Sequence, residues 1–169
     1  MQIRRFSSAD ATISVEVNKD VFDSMVEACR KSPNRETGGI LVGRYSNGGT
    51  IAQILEALPP TIDSVGTSST FSRGIHGLSN ELTSRWAKTG SHYVGEWHYH
   101  PLGTGQPSDR DTSQMIDFAR EESMQSPVPI MMIVFCSGSD QYELRAFLFT
   151  KDSHTVGLHD VNEIGEEGE

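Results

Sequence analysis

Residues 96–111 of this 169-residue chain read as a strand end, a break and a helix start, with metal-binding side chains at both ends. If residues 93–100 are a strand, His98 and His100 point to the same face, their Cα atoms roughly 6.6 Å apart at a rise of about 3.3 Å per residue. Pro101 has no N–H to continue a ladder, and Gly103 and Gly105 let the chain turn back. Ser108 then opens a helical pattern in which Asp111 shares a face with Met115. A fold that lays this helix beside the strand brings one carboxylate to two imidazoles.

Two His and one Asp are three protein ligands, and they leave the fourth tetrahedral position to water, the arrangement of a catalytic zinc. Zinc lowers the pKa of bound water to about 7, which makes a nucleophile available at neutral pH. The parts have plainer readings when taken singly. A lone His-x-His is more often a chance pattern than a metal site, and Ser108-x-x-Asp111 alone reads as a capping box with Asp at the third helical position. Capping and ligation are compatible, because an Asp in the first turn also sits well on the helix dipole. Two His and a carboxylate also suit the facial triad of a non-haem iron oxygenase. That fold would be mostly β, and the helical patterns before and after the site disfavour it.

His98-Tyr99-His100-Pro101, the seven residues between His100 and Ser108, and Ser108-x-x-Asp111 together resemble the signature of the JAMM metalloproteases, the catalytic JAB/MPN domains. The resemblance spans residues 14–150. It implies one Zn2+ per chain held by His98, His100 and Asp111, with Ser108 helping to hold a tetrahedral intermediate. It also implies a general acid/base upstream, and the match is Glu36, at the head of Glu36-Thr37-Gly38-Gly39-Ile40-Leu41-Val42-Gly43. The Gly95-Glu96-Trp97 lead-in and the short segment between the Asp111 helix and Pro129 look like the compact bacterial branch, which resembles deconjugases of antiviral, CBASS-type operons. Tyr99 stands where the family usually has a small Ser or Thr, which bears on the shape of the substrate channel.

The rest of the chain predicts a mixed α/β (α+β) fold with a largely antiparallel or mixed sheet. The JAB/MPN resemblance implies the cytidine-deaminase-like form of that class, a mixed sheet flanked by helices. Ile13, Val15 and Val17 alternate as a first strand, and Val21, Phe22, Met25, Val26 and Cys29 follow at helical spacing behind Asn18. Pro33 and Asn34 break that helix, and an apolar strand runs over residues 39–45 with Glu36 at its entrance. On its own, a Glu at such a place is usually a solvated edge residue. A returning strand at 51–58 stops at Pro59-Pro60, and Ile75, Leu78, Leu82 and Trp86 predict a helix over 73–88. Residues 127–136 and 142–150 read as two further strands. Glu96 shares a face with His98, where it either orients an imidazole N–H or pairs with an Arg. His76 and His92 are isolated from the set and read as polar surface or helix-end residues.

Length and the 36% hydrophobic content suit one domain, residues 1–155, followed by an acidic mobile tail, residues 156–169, that holds His159. Cys29 and Cys136 lack a C-x-x-C spacing and read as buried small apolar residues. The formal net charge of −9 counts against nucleic-acid binding. No apolar run approaches a membrane span and no leader pattern opens the chain, so a cytoplasmic protein is expected. By resemblance the function is a zinc-dependent isopeptidase that hydrolyses the amide after the C-terminus of a ubiquitin-like or similarly conjugated protein, with E1/E2-like transfer enzymes as partners. Release of amino acids from a sulfur-carrier protein and a noncatalytic MPN-type interaction module are the alternatives. The full set Glu36, His98, His100, Ser108, Asp111 speaks against the module.

Overall fold

The computed structural model describes residues 2–124, 126 and 128–161. The chain opens with an antiparallel hairpin, β1 (Ile3–Ser7) and β2 (Ser14–Asn18), in which Phe6 lies opposite Val15. The first strand is therefore one earlier than alternation at Ile13, Val15 and Val17 marks. Helix α1 (Lys19–Lys31) buries Val21, Met25, Val26 and Cys29 on one stripe, with Asp20 in its first turn and Arg30 and Lys31 in its last, the favourable ends of the dipole. Asn18 holds the N-cap position with extended backbone, but its side chain makes no capping hydrogen bond. Strands β3 (Thr37–Ser46) and β4 (Ile51–Ala57) follow, then the two-residue strands β5 (Val65–Gly66) and β6 (Phe71–Ser72), which pair with each other. Next come α2 (Leu78–Thr89), β7 (His92–His100), α3 (Asp109–Arg120), β8 (Ile130–Gly138), β9 (Gln141–Phe149), β10 (Thr155–Gly157) and β11 (His159–Asp160).

Helix α2 starts five residues later than the apolar spacing predicts. The Asp63 carboxylate accepts hydrogen bonds from the Ile75 and His76 amides, and Gly77 takes a left-handed φ of 78°, so the chain before Leu78 is held as a loop. Ile75 and Trp86 are exposed, although the Trp86 ring meets His92 of the sheet edge-on, and Leu78 and Leu82 pack against the buried cluster.

The large sheet has the order β10-β9-β8-β7-β3-β4-β2-β1-β11, antiparallel except for β2 with β4 and β7 with β8. This is the mixed α/β class the sequence predicts. Strands β10 and β11 are separated only by Leu158, yet β10 pairs with β9 and β11 with β1. One short segment thus covers the outer edge of β9 and the outer edge of β1, so neither is left bare along its paired residues. The Leu158 amide donates to the Ala146 carbonyl at 2.9 Å, and Arg4 is ion-paired with Asp160. Residues 156–160, expected in the tail, accordingly belong to the sheet; residues 162–169 lie outside the described residues. No helix among the described residues is long and apolar enough to cross a membrane.

One face of the sheet packs on α1, in a cluster that includes Phe6, Val15, Met25, Leu41, Val94, Trp97, Tyr99, Met132 and Leu148. On the other face, α2 covers Ile40, Val42, Leu58 and Tyr93, and α3 covers Met131, Ile133, Phe147 and Phe149. Cys29 is fully buried, but Cys136, near the end of β8, is only half-buried, so the expectation of two buried cysteines holds for Cys29 alone.

Candidate metal centre

Strand β7 is an interior strand of the sheet, parallel to β8 and antiparallel to β3. Val94 is an extra residue in its pairing with β3, where the partner of Leu41 is Gly95 and the partner of Val42 is Tyr93. This bulge sends Val94 to the α1 face with Trp97 and Tyr99, and leaves Tyr93, Glu96, His98 and His100 on the face covered by the other helices. The two imidazoles meet Asp111 from the first turn of α3. That turn is set by a reciprocal cap: the Asp111 amide donates to Ser108 Oγ at 3.1 Å, and the Ser108 amide donates to Asp111 Oδ2 at 2.8 Å.

His98 Nδ1 lies 3.0 Å from Asp111 Oδ1, and His100 Nε2 lies 3.4 Å from Asp111 Oδ2. All three side chains are buried, and their ligand atoms lie within 4.8 Å of one another. Although they are this close to a carboxylate, neither ring nitrogen has hydrogen-bond geometry to any group. Buried polar atoms are seldom left so. Tetrahedral ligands 2.0–2.1 Å from one ion stand roughly 3.3 Å apart, a spacing close to these separations. The donor set therefore fits a metal. Burial alone would raise the Asp111 carboxyl, but His100 and His98 beside it hold it well below the usual carboxylate range. Burial alone would lower His100, and Asp111 and Glu36 more than offset this and raise it.

Glu36 immediately precedes β3, and the Thr37–Tyr99 pairing places it one step on, opposite His100. It is half-buried, not a solvated edge residue. Burial pushes its carboxyl up, and the field of Asp111 adds to this while His100 and His98 oppose it. Gly38 makes the approach possible: a Cβ there would sit 2.1 Å from the Trp97 carbonyl and 2.9 Å from the His98 ring. Ser108 is exposed beside the cluster. The structure thus brings all five singled-out residues to one place. Tyr99 is different: strand alternation turns it to the α1 face, where it is 3% exposed. Its ring packs away from the three ligand side chains, in the cluster on the α1 face.

Of the two readings of Glu96, the ion pair holds. Arg73 Nε donates to both carboxylate oxygens, at 2.7 and 3.0 Å, and the Tyr93 hydroxyl donates to one of them at 3.1 Å. The Glu96 side chain is 2% exposed and that of Arg73 9%. Burial pushes the Glu96 carboxyl up against the opposing pull of Arg73. Sequence reasoning missed Arg73, and also Phe71, whose ring meets His98 edge-on with centroids 5.1 Å apart. Phe71 lies before any periodic stretch and Arg73 at the first position of the predicted helix, so nothing local points to either as a partner of β7. His76, His154 and His159 are exposed, and His92 is half-buried between Tyr45 and Trp86; none joins the cluster.

A family model described as prokaryotic homologs of the JAB domain matches residues 18–150. A protein named CD-NTase/cGAS isopeptidase, from Enterobacter hormaechei subsp. hoffmannii (strain UCI 50), is 37% identical over 156 residues, covering 92% of this chain and 86% of that protein. Among solved structures, the solution structure of protein DSY2949 from Desulfitobacterium hafniense aligns with a TM-score of 0.56 at 21% identity, over 85% of this chain and 87% of that one. That last likeness is one of fold alone.

Proposed function

The chain belongs to the prokaryotic JAB-domain family, and from that premise we propose that it is a zinc-dependent isopeptidase that removes a conjugated protein from its target in the cytoplasm. The observation that carries the reading is the convergence of three buried ligand groups with a raised carboxyl opposite one of them. One Zn2+ would be held by His98, His100 and Asp111, and when bound it supplies Lewis-acid polarisation of a carbonyl and a water acidic enough to react near pH 7.

The chain's own groups do the rest. Glu36 takes a proton from the attacking water on its carboxylate and delivers it to the nitrogen of the leaving amine, so that the amide C–N bond breaks as a free acid and a free amine form. Its raised pKa moves it toward the working pH, where a carboxyl both accepts and returns a proton readily. Ser108 Oγ accepts from the Asp111 amide, which leaves its own O–H to donate to the oxyanion of the tetrahedral intermediate. Asp111 holds that cap and a ligand position at once, so the helix start and the site are fixed by the same side chain.

The relative's printed name joins isopeptidase to CD-NTase/cGAS. For this chain the corresponding substrate is a protein of the ubiquitin-like or CD-NTase class whose C-terminal carboxyl has been joined to an amine by E1/E2-like transfer enzymes, as in antiviral operons. The test incubates wild type and Glu36→Ala with a carrier–target conjugate and reads the cut by mass spectrometry. The expected result is one cut directly after the carrier's C-terminus with wild type and none with the variant. Cleavage of unrelated unfolded peptides at equal rates would make the protein a general protease instead.

A further inference from the structure

Residues 58–77, between β4 and α2, form a loop that touches the site at two points. The Thr67 carbonyl accepts the Glu36 amide at 2.7 Å, and the Phe71 ring stands edge-on to His98. The loop is braced within itself: Asp63 accepts from the Ile75 and His76 amides, Ser64 Oγ accepts from the Gly74 amide at 3.0 Å, and the Thr67 amide donates to the Thr70 carbonyl at 2.8 Å. These bonds tie the stretch that carries Arg73 to the stretches that carry Thr67 and Phe71.

Its charged attachment is Arg73, which reaches Glu96 at the centre of β7, two residues before His98. The guanidinium also donates to the Gly74 carbonyl at 2.9 Å and lies 5.6 Å from the centre of the Phe118 ring of α3. A buried ion pair is a weak source of stability, since desolvation of both charges offsets their attraction and an apolar pair of similar volume serves as well. Its distinctive property is direction. One N–H shared between both carboxylate oxygens, together with the Tyr93 hydroxyl and the opposite charges, defines where the carboxylate and the arginine stand, whereas an apolar contact tolerates sliding.

We propose that Arg73 and Glu96 are positioning residues that lock the loop of residues 58–77 onto β7, so that Thr67 holds the backbone of Glu36 and Phe71 holds the ring of His98 in mutual register. The role presupposes the hydrolase reading only for its consequence in turnover; the locking itself is a property of the fold.

The test uses Arg73→Gln, Glu96→Gln and the double variant Arg73→Gln/Glu96→Gln on the full chain. Each single change leaves an unpaired buried charge and lowers stability; the double change leaves two amides and restores much of it. In the double variant, zinc per chain stays at the wild-type level. Hydrogen exchange of the Glu36 amide speeds up about 10-fold relative to amides of α1, because its acceptor is no longer fixed. Turnover falls about 10-fold while substrate KM changes little, the mark of a misplaced general base. Tyr93→Phe, which keeps the ion pair and removes one donor, shows the same changes at smaller size. A double variant with wild-type exchange at Glu36 overturns the proposal, whatever its activity; so does faster exchange spread equally over α1, which would mean general loosening. A wild type that neither binds zinc nor cleaves a conjugate sinks the hydrolase reading instead, and the exchange comparison still decides the locking.

Discussion

The two faces of β7 are built by different rules from alternate residues of one strand. Val94, Trp97 and Tyr99 face α1 and join a cluster of aliphatic and aromatic side chains, where what counts is volume and apolar area. Trp97 adds one directed contact, its Nε1–H donating to the Leu58 carbonyl at 2.8 Å. Tyr93, Glu96, His98 and His100 face the other way, into an environment of charge and directed bonds. Both faces are buried. Burial by itself therefore does not separate structural from functional positions here; the kind of neighbour does. A change on the first face should be paid for in stability, and a change on the second in metal binding and turnover.

The largest effect that would test this contrast is removal of a ligand. His98→Ala or Asp111→Ala is expected to take bound zinc from about one per chain to near none, with loss of hydrolysis, as read by metal analysis of the purified protein. Zinc retained in either variant would break the assignment of the polar face. Glu36→Gln comes next: zinc content and the folded spectrum stay as in wild type, while turnover falls about 10²–10⁴-fold. Loss of zinc in that variant would make Glu36 a ligand.

On the apolar face, Trp97→Ala is expected to cost about 3–5 kcal/mol in chemical denaturation, from the cavity and the lost bond to Leu58. If instead it abolished zinc binding while the fold held, the two faces would not be independent. Tyr99 supplies the control at the bottom of the scale. Its hydroxyl makes one long hydrogen bond, 3.4 Å to the Pro33 carbonyl, so Tyr99→Phe should change stability by about 0.5–1.5 kcal/mol or less and leave turnover unchanged.

A smaller effect sharpens the same comparison through pH. In protein stripped of metal by a chelator, His100 has a raised pKa, so its protonated form favours the fold. That contribution is complete below the unfolded value, about 6.5, and is lost as pH rises through the raised folded value. Asp111, held low, contributes above about 3.9 and loses its part as pH falls through its folded value. With metal bound the sign of the histidine effect reverses, because ligating imidazoles must be neutral. Urea unfolding between roughly pH 6 and pH 8 should therefore show stability falling with pH for the stripped protein and rising for the loaded one. Equal slopes would remove the histidines from the metal reading.

The sequence by itself determined the elements whose logic is local. His98 and His100 share a face because strands repeat every two residues, and Asp111 enters the first turn of a helix because Ser108 can cap it. The strands and helices around them follow from apolar periodicity, with α1 close to its predicted span. Tertiary structure decided everything that depends on which strand lies beside which. Glu36 reaches His100 through the pairing of β3 with β7, across more than sixty residues of chain; the family resemblance named it, but no spacing shows it. Whether Glu96 faced an imidazole or an arginine depended on Arg73, which the apolar spacing puts in a helix and the structure puts in the loop before it. Residues 156–160 look like part of a polar tail, and become strands only because β9 and β1 leave two edges to be satisfied. A bulge at Val94, invisible in the alternation, divides β7 between its two faces. Each of these rests on hydrogen bonds and burial between segments distant in sequence, whose energy exists only once the whole core has assembled.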